Sequence, residues 1–294
     1  MTQIEVNGIT LEAERIGSPS APAVFLIAGL GFQLIDWPLS FAEKLVEAGY
    51  QVIRFDNRDI GLSQKLEEEG LPDLGAIIQE KMAGGTPDVP YDLSHMAADV
   101  IGLMDAFSID KAHIVGMSMG GMIAQILAAN HASRCLSLTS IMSTTGDPSL
   151  PQADPEIMAV LVSAPSSQDK KDIVEFGLKV NDTIGSPGFR WDRSALQAHI
   201  EACFDRSYCP TGFMRQMAAV STAKPRRQML SKVAVPTLVI HGEDDPLVPA
   251  SGGRDVADHI SGASFKLVSG MGHDLSPSLC DQLAELIVPH LNSV

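Results

Sequence analysis

Short apolar runs alternate along this chain with longer stretches in which apolar residues recur every three or four positions. Val6–Ile16 alternates around Asn7-Gly8 and predicts an N-terminal β-hairpin with a two-residue turn. Ala23–Ala28, Gln51–Phe55, Ala112–Met117, Leu136–Met142, Val235–His241 and Ser264–Val268 predict further strands. Most of these runs are continuously apolar, as strands covered on both faces are. Helical spacing fills the gaps. Trp37–Ala48 carries Leu39, Phe41, Leu45 and Val46 before a stop at Gly49. A segment capped by Asp92 or Ser94 and running through Phe107 places Met96, Val100, Leu103, Met104 and Phe107 on one face. Met122–Ala129, Gly253–Ile260 and Leu279–Leu291 are helical as well. Strand alternating with helix predicts an α/β domain with a mostly parallel sheet.

The alternation stops near Thr145. Between Gly146 and Lys232 there are helix-like pieces (Pro155–Val162, Lys170–Val180, Arg193–Cys203, Gly212–Ser221) and no convincing strand. Residues 1–145 and 233–294 are therefore expected to form one core, with residues 146–232 as a helical cap inserted in it. Residues 64–90 are expected to be a long surface loop with one short helix at Leu74–Met82.

Charge follows the same division. The chain of 294 residues has a net charge of −15, yet residues 146–232 hold ten acidic and eleven basic residues, leaving 26 and 10 for the rest. An acidic core surface argues against nucleic acid or an anionic membrane as a partner. Lys224, Arg226 and Arg227 are read as a solvated basic face. A hydrophobic content of 45% suffices for a sizeable core, and no apolar stretch reaches the length of a membrane span. Met1–Leu11 lacks a basic start and an apolar middle, so no secretory signal is read and a cytoplasmic location is expected. The four cysteines, Cys135, Cys203, Cys209 and Cys280, are scattered without paired metal spacing and are read as incidental thiols of a reducing compartment.

The candidate chemistry begins at Ile-Val-Gly-Met-Ser-Met-Gly-Gly, residues 114–121, which contains Gly-x-Ser-x-Gly centred on Ser118. The five-residue pattern alone is weak. Its position between a strand and a helix makes Ser118 a candidate nucleophile on a sharp turn. A serine hydroxyl needs a base, and the base needs a carboxylate to orient it. His273 lies in Ser-Gly-Met-Gly-His-Asp, a glycine-rich loop after the last strand, at the same sheet edge as Ser118. His241 ends a strand beside Gly242 and is read as structural. His95, His113, His131, His199, His259 and His290 lie within helix or strand patterns and are read the same way. The carboxylate is sought in residues 236–249, where Asp245 precedes Pro246 and Asp244 is the alternative. Two backbone N–H groups are needed for an oxyanion. Met119 follows the nucleophile, and Leu30 lies in the Gly29-Leu30-Gly31-Phe32 loop after Ala23–Ala28.

With these residues in place the chain resembles the α/β-hydrolase superfamily along nearly its full length. The matching blocks are Gly29–Gly31, Asp56–Ser63, Gly116–Gly121, Gly242–Pro249 and Gly270–His273. Within that superfamily, Trp37-Pro38, the block from Arg54 to Ser63, and Gly-Met-Gly-His are similar to the aclacinomycin methylesterase-type carboxylesterases. Ala28 stands where many members carry a histidine before the first glycine. The resemblance implies an α/β-hydrolase fold with an eight-stranded, mostly parallel sheet and a helical cap. It implies a triad of Ser118, Asp245 and His273, with Leu30 and Met119 lending N–H groups, and the Asp56–Ser63 block supporting the loops. Ser at 118 sets the chain apart from the related dehalogenases and epoxide hydrolases, which use an aspartate.

The expected activity is carboxylic ester hydrolysis on a small-molecule ester, with short-to-medium acyl groups or small methyl esters, and with no metal or organic cofactor. A cofactor-free perhydrolase, a thioesterase or a carbon–carbon hydrolase is the alternative on the same residues, and a non-catalytic receptor the more distant one. A homo-oligomer is left open. The cap offers Met158, Leu161, Val162, Phe176, Leu178, Ile184, Phe189, Trp191, Leu196, Phe204, Phe213 and Met217, and nothing in the sequence divides pocket from cap core.

Overall fold

The computed structural model describes every residue from Met1 to Val294. Eight strands span Thr2–Val6, Ile9–Ile16, Ala23–Ile27, Gln51–Phe55, Ala112–Met117, Cys135–Ile141, Thr237–Gly242 and Ser264–Val268, numbered β1 to β8. They form one sheet in the order β1-β2-β4-β3-β5-β6-β7-β8. The β1–β2 and β2–β4 pairs are antiparallel and all others are parallel. Asn7 and Gly8 join β1 to β2 with φ of 50° and 80°, the left-handed pair that a tight hairpin turn demands.

Helices cover both faces, which is why the central strands read as unbroken apolar runs. In β3, Ala23, Phe25 and Ile27 enter a core of 34 buried residues, while Val24 and Leu26 enter another of 24 on the opposite face, because successive side chains point to opposite sides. The first core lies under α3 (Leu93–Ala106), α4 (Met119–Asn130) and α10 (Ala250–Asp258), and the second under α1 (Leu39–Glu47) and α11 (Pro277–Asn292). The helix expected at Gly253 begins at Ala250. Its first turn carries Gly252 and Gly253, which pack on Thr144 and His241 and show no apolar stripe.

Helix α2 (Leu74–Met82) occupies the irregular stretch after β4. The connection from β6 to β7 holds α5 (Pro155–Leu161), α6 (Lys170–Ile184), α7 (Arg193–Arg206), α8 (Pro210–Thr222) and α9 (Arg227–Leu230), and no strand. The four-residue α9 is too short for a periodic signal. No helix is long and apolar enough to cross a membrane.

The basic run at residues 224–227 is a solvated face only at Lys224, which is exposed. Arg226 is 2% exposed and donates from Nε to Gln125 Oε1 at 3.0 Å and from Nη2 to the Thr144 carbonyl at 2.8 Å. Burial pushes its pKa down to about 10. Arg227 pairs with Asp147 and Asp255. These partners are remote in sequence, so the local pattern of basic residues carries no trace of them.

Candidate active site

Ser118 stands between β5 and α4 with φ 53° and ψ −119°, a region that residues with side chains rarely adopt and that persists only when the surroundings enforce it. Two glycines provide that enforcement. A Cβ on Gly116 would strike the Gly120 carbonyl, and one on Gly120 would strike the Ile27 carbonyl at the end of β3. Strand, turn and helix are thus packed backbone to backbone, and the serine projects from the top.

Three sequence-predicted side chains meet there. Ser118 Oγ lies 2.9 Å from His273 Nε2, and His273 Nδ1 lies 2.7 Å from Asp245 Oδ2. A carboxylate only accepts, so Nδ1 carries the proton, and in the neutral imidazole Nε2 is free to accept from the serine. The other Asp245 oxygen accepts from the N–H groups of Leu247 and Val248 at 2.9 and 2.8 Å. Burial opposes ionisation of Asp245, but the charge of His273 and the hydrogen bonds of His241 and His273 outweigh it and hold its carboxyl well below the usual range. Asp244 is exposed and accepts from Gly270 N instead. His241 does more than end its strand. It donates from Nε2 to the Val248 carbonyl at 2.8 Å, and that nitrogen is 3.5 Å from Asp245 Oδ2.

The loop after β3 reaches the same place. A Cβ on Gly29 would lie 3.4 Å from Ser118 Cβ. Neither the Leu30 N–H nor the Met119 N–H donates to a protein acceptor. Met119 opens α4, where the first N–H groups have no partner within the helix.

The loops are held by the Asp56–Ser63 block and by partners that the sequence did not single out. Gln216 on α8 accepts from Gly31 N at 2.9 Å and donates to the Arg58 carbonyl at 2.8 Å. In the Asp56–Ser63 block, Asp56 accepts from Leu34 N and Leu62 N and pairs with Arg206 of α7. Asp59 receives Tyr91 Oη and two nitrogens of Arg215 from α8, all buried. The His273 loop is gripped from the α6 side. His273 N donates to the Ile184 carbonyl, Gly272 N donates to Ser186 Oγ, and Asp274 accepts from Ser186 and from Asn181. Sequence spacing could not reveal most of these pairs, because apart from the local Asp56–Leu62 contact they join segments distant in the chain.

Beside Gly31 and Gln33 lies a cavity of about 400 Å³, walled largely by apolar side chains from α5 to α8. The structure divides the apolar residues of the 146–232 segment. Val174, Leu178 and Leu196, with Trp191 and Ile200 against them, make a small core. Leu161, Val162, Phe176, Phe204, Phe213 and Met217 line the cavity. Ile184 is buried, Phe189 packs against the second sheet core, and Met158 is 39% exposed.

Residues 22–175 match the family described as alpha/beta hydrolase fold, and residues 204–284 match one described as TAP-like protein. Rhodomycin D methylesterase DnrP of Streptomyces peucetius is 29% identical over 96% of this chain and 95% of its own length. 3-Oxoadipate enol-lactonase 1 of Acinetobacter baylyi is 25% identical over 89% of this chain and 86% of its own length. Among solved structures, the enol-lactonase from Burkholderia xenovorans superposes with a TM-score of 0.72 at 22% identity, covering 99% of this chain and all of that one. The meta-cleavage product hydrolase CumD from Pseudomonas fluorescens superposes with a TM-score of 0.75 at 22% identity, covering 100% of this chain and 98% of that one.

Proposed function

The chain belongs to the α/β-hydrolase fold family, and from that premise we propose that it hydrolyses carboxylic esters through Ser118, His273 and Asp245. The observation that carries this reading is the unbroken hydrogen-bond relay from Ser118 Oγ through both nitrogens of His273 to Asp245. The activities named for the two relatives, a methylesterase and an enol-lactonase, both concern ester bonds.

In this mechanism Ser118 Oγ attacks the ester carbonyl as His273 Nε2 takes its proton. The tetrahedral oxyanion is received by the N–H groups of Leu30 and Met119, which have no other acceptor. Collapse expels the alcohol, protonated by His273. Water, deprotonated by the same nitrogen, then attacks the acyl-enzyme and releases the acid. Asp245 holds the Nδ1–H tautomer and stabilises the imidazolium throughout. Neither a metal nor an organic cofactor enters any step. Gln216 is a positioning residue, since it fixes the N–H next to Leu30. Gln216→Ala is expected to lower kcat by about 10- to 100-fold through misplacement of the loop, with a smaller change in KM. Steady-state kinetics beside a thermal unfolding curve separates this from simple destabilisation.

The 146–232 segment acts in this reading as a cap that shapes the substrate site. The cavity it encloses has the size of a small-molecule pocket. Its principal polar side chain, Gln33, is already engaged by Cys203 O, Ser207 O and Arg206, so the walls favour an uncharged apolar group. A series of p-nitrophenyl esters from acetyl to palmitoyl tests this. Each methylene buried contributes about 0.8 kcal/mol, so kcat/KM should climb about 4-fold per carbon from acetyl, peak at medium length, and fall before palmitoyl. A flat profile would remove the cavity from the substrate site.

A further inference from the structure

His199 and Cys203 are one turn apart on α7, so their side chains leave the same face of the helix. That face meets the turn Leu34–Asp36, which follows the loop after β3. His199 Nε2 lies 2.8 Å from Asp36 Oδ1. Cys203 Sγ lies 3.6 Å from His199 Nε2 and 3.8 Å from Asp36 Oδ1. A tetrahedral zinc ion, with bonds of about 2.3 Å to sulfur and about 2.0 Å to nitrogen and oxygen, requires S···N and S···O edges of about 3.5 Å and an N···O edge of about 3.3 Å. The two sulfur edges are therefore within about 0.3 Å of the required lengths, and only the His199–Asp36 hydrogen bond must open, by about 0.5 Å.

The surroundings hold the three groups as metal ligands are held. Asp36 Oδ2 accepts from Gln33 N at 2.7 Å, which turns Oδ1 toward the other two. The Trp191 ring stacks on His199 at 5.4 Å and sets the imidazole plane. All three residues are half-buried, so an ion can enter from solvent. We propose that Asp36, His199 and Cys203 form a binding site for one thiophilic divalent cation of the zinc type, with water as the fourth ligand.

The charges balance, since a dication, a carboxylate and a thiolate sum to zero. In the metal-free protein the His199 Nε2–H faces the Asp36 carboxylate, so binding moves that proton to Nδ1, or releases it to solvent where Nδ1 is already protonated, and sends the Cys203 thiol proton to solvent. The ion would join α7 to the turn behind the oxyanion loop, beside the cavity that Gln33 and Cys203 line. It is separate from the ester chemistry. The other thiols lack this arrangement, since Cys135 and Cys280 are buried and Cys209 faces Glu67 and Thr211 without an imidazole.

The test is titration of the chelator-stripped full chain with Co²⁺ and then Zn²⁺. The expected result is one Co²⁺ per chain with a thiolate-to-cobalt charge-transfer band, displaced by Zn²⁺, and a higher Tm in the zinc-loaded protein. Cys203→Ser should lose the band. His199→Asn should weaken binding by more than about 100-fold, beyond the loss of an outer contact. Cys209→Ser should bind as the unaltered chain does. Circular dichroism of each variant establishes that it is folded, and His199→Asn carries the test if Cys203→Ser is not. Absence of a stoichiometric band in the unaltered chain, its persistence in Cys203→Ser, undiminished affinity in His199→Asn, or loss of the band in Cys209→Ser overturns the proposal.

Discussion

Ser118→Ala is expected to lower ester turnover by about 10⁵- to 10⁶-fold, the scale seen when a nucleophile is removed from an enzyme that forms an acyl intermediate. The loss is chemical rather than structural. The alanine keeps the Cβ that lies opposite Gly29 and removes only Oγ, whose one hydrogen-bond partner is His273. Thermal unfolding should stay close to that of the unaltered chain, while single-turnover and steady-state rates both collapse. Residual activity within about 10-fold of the original would mean that another group attacks the ester, because the oxyanion N–H groups and the substrate pocket cannot alone supply the remaining rate.

Asp245→Asn is expected to cost about 10⁴-fold in kcat, whereas Asp244→Asn should leave kcat within a few-fold. The geometry dictates which way the new amide turns. Oδ1 of Asp245 accepts from two backbone N–H groups, so an asparagine keeps its oxygen there and presents Nδ2 to His273. An amide donor against Nδ1 forces the imidazole proton onto Nε2, where it faces Ser118 and cannot accept the serine proton. Asp244 bonds only Gly270 N and lies outside the relay. Equal losses in the two variants would contradict this assignment. A further consequence concerns stability. The Asp245 carboxyl is held below its unfolded value of about 3.9, so its contribution is complete at neutral pH. It is lost as pH falls from there through the folded value.

The strands, the helices between them and the positions of Ser118 and His273 were legible because each follows from a local pattern. The alternation of Val24, Phe25, Leu26 and Ile27 between two cores appears in sequence as a continuous apolar run, and parallel strands end at one edge where the loops gather. The choice between Asp244 and Asp245 was not local in that sense. It depends on the turn in which Asp245 bonds Leu247 and Val248, and two adjacent carboxylates look alike until that turn is formed. Gln216 was invisible because its partner Gly31 is 185 positions away. Arg226 was misjudged for the same reason, since its partner Gln125 is 101 positions away. His199 and Cys203 share a helix, but Asp36 stands 163 positions from His199, so spacing alone could not gather the trio. The division of the apolar residues of the 146–232 segment into a small core and a cavity wall likewise needs the mutual packing of four helices, which periodicity does not encode.

The central claim is that Ser118 becomes a covalent nucleophile. Treatment of the full chain with a fluorophosphonate, followed by intact mass and peptide mapping, tests it most directly. The account predicts one phosphonyl group per chain, located on Ser118, formed in step with loss of ester turnover and absent from Ser118→Ala. Labelling at another residue, or full inactivation with Ser118 unmodified, would contradict it.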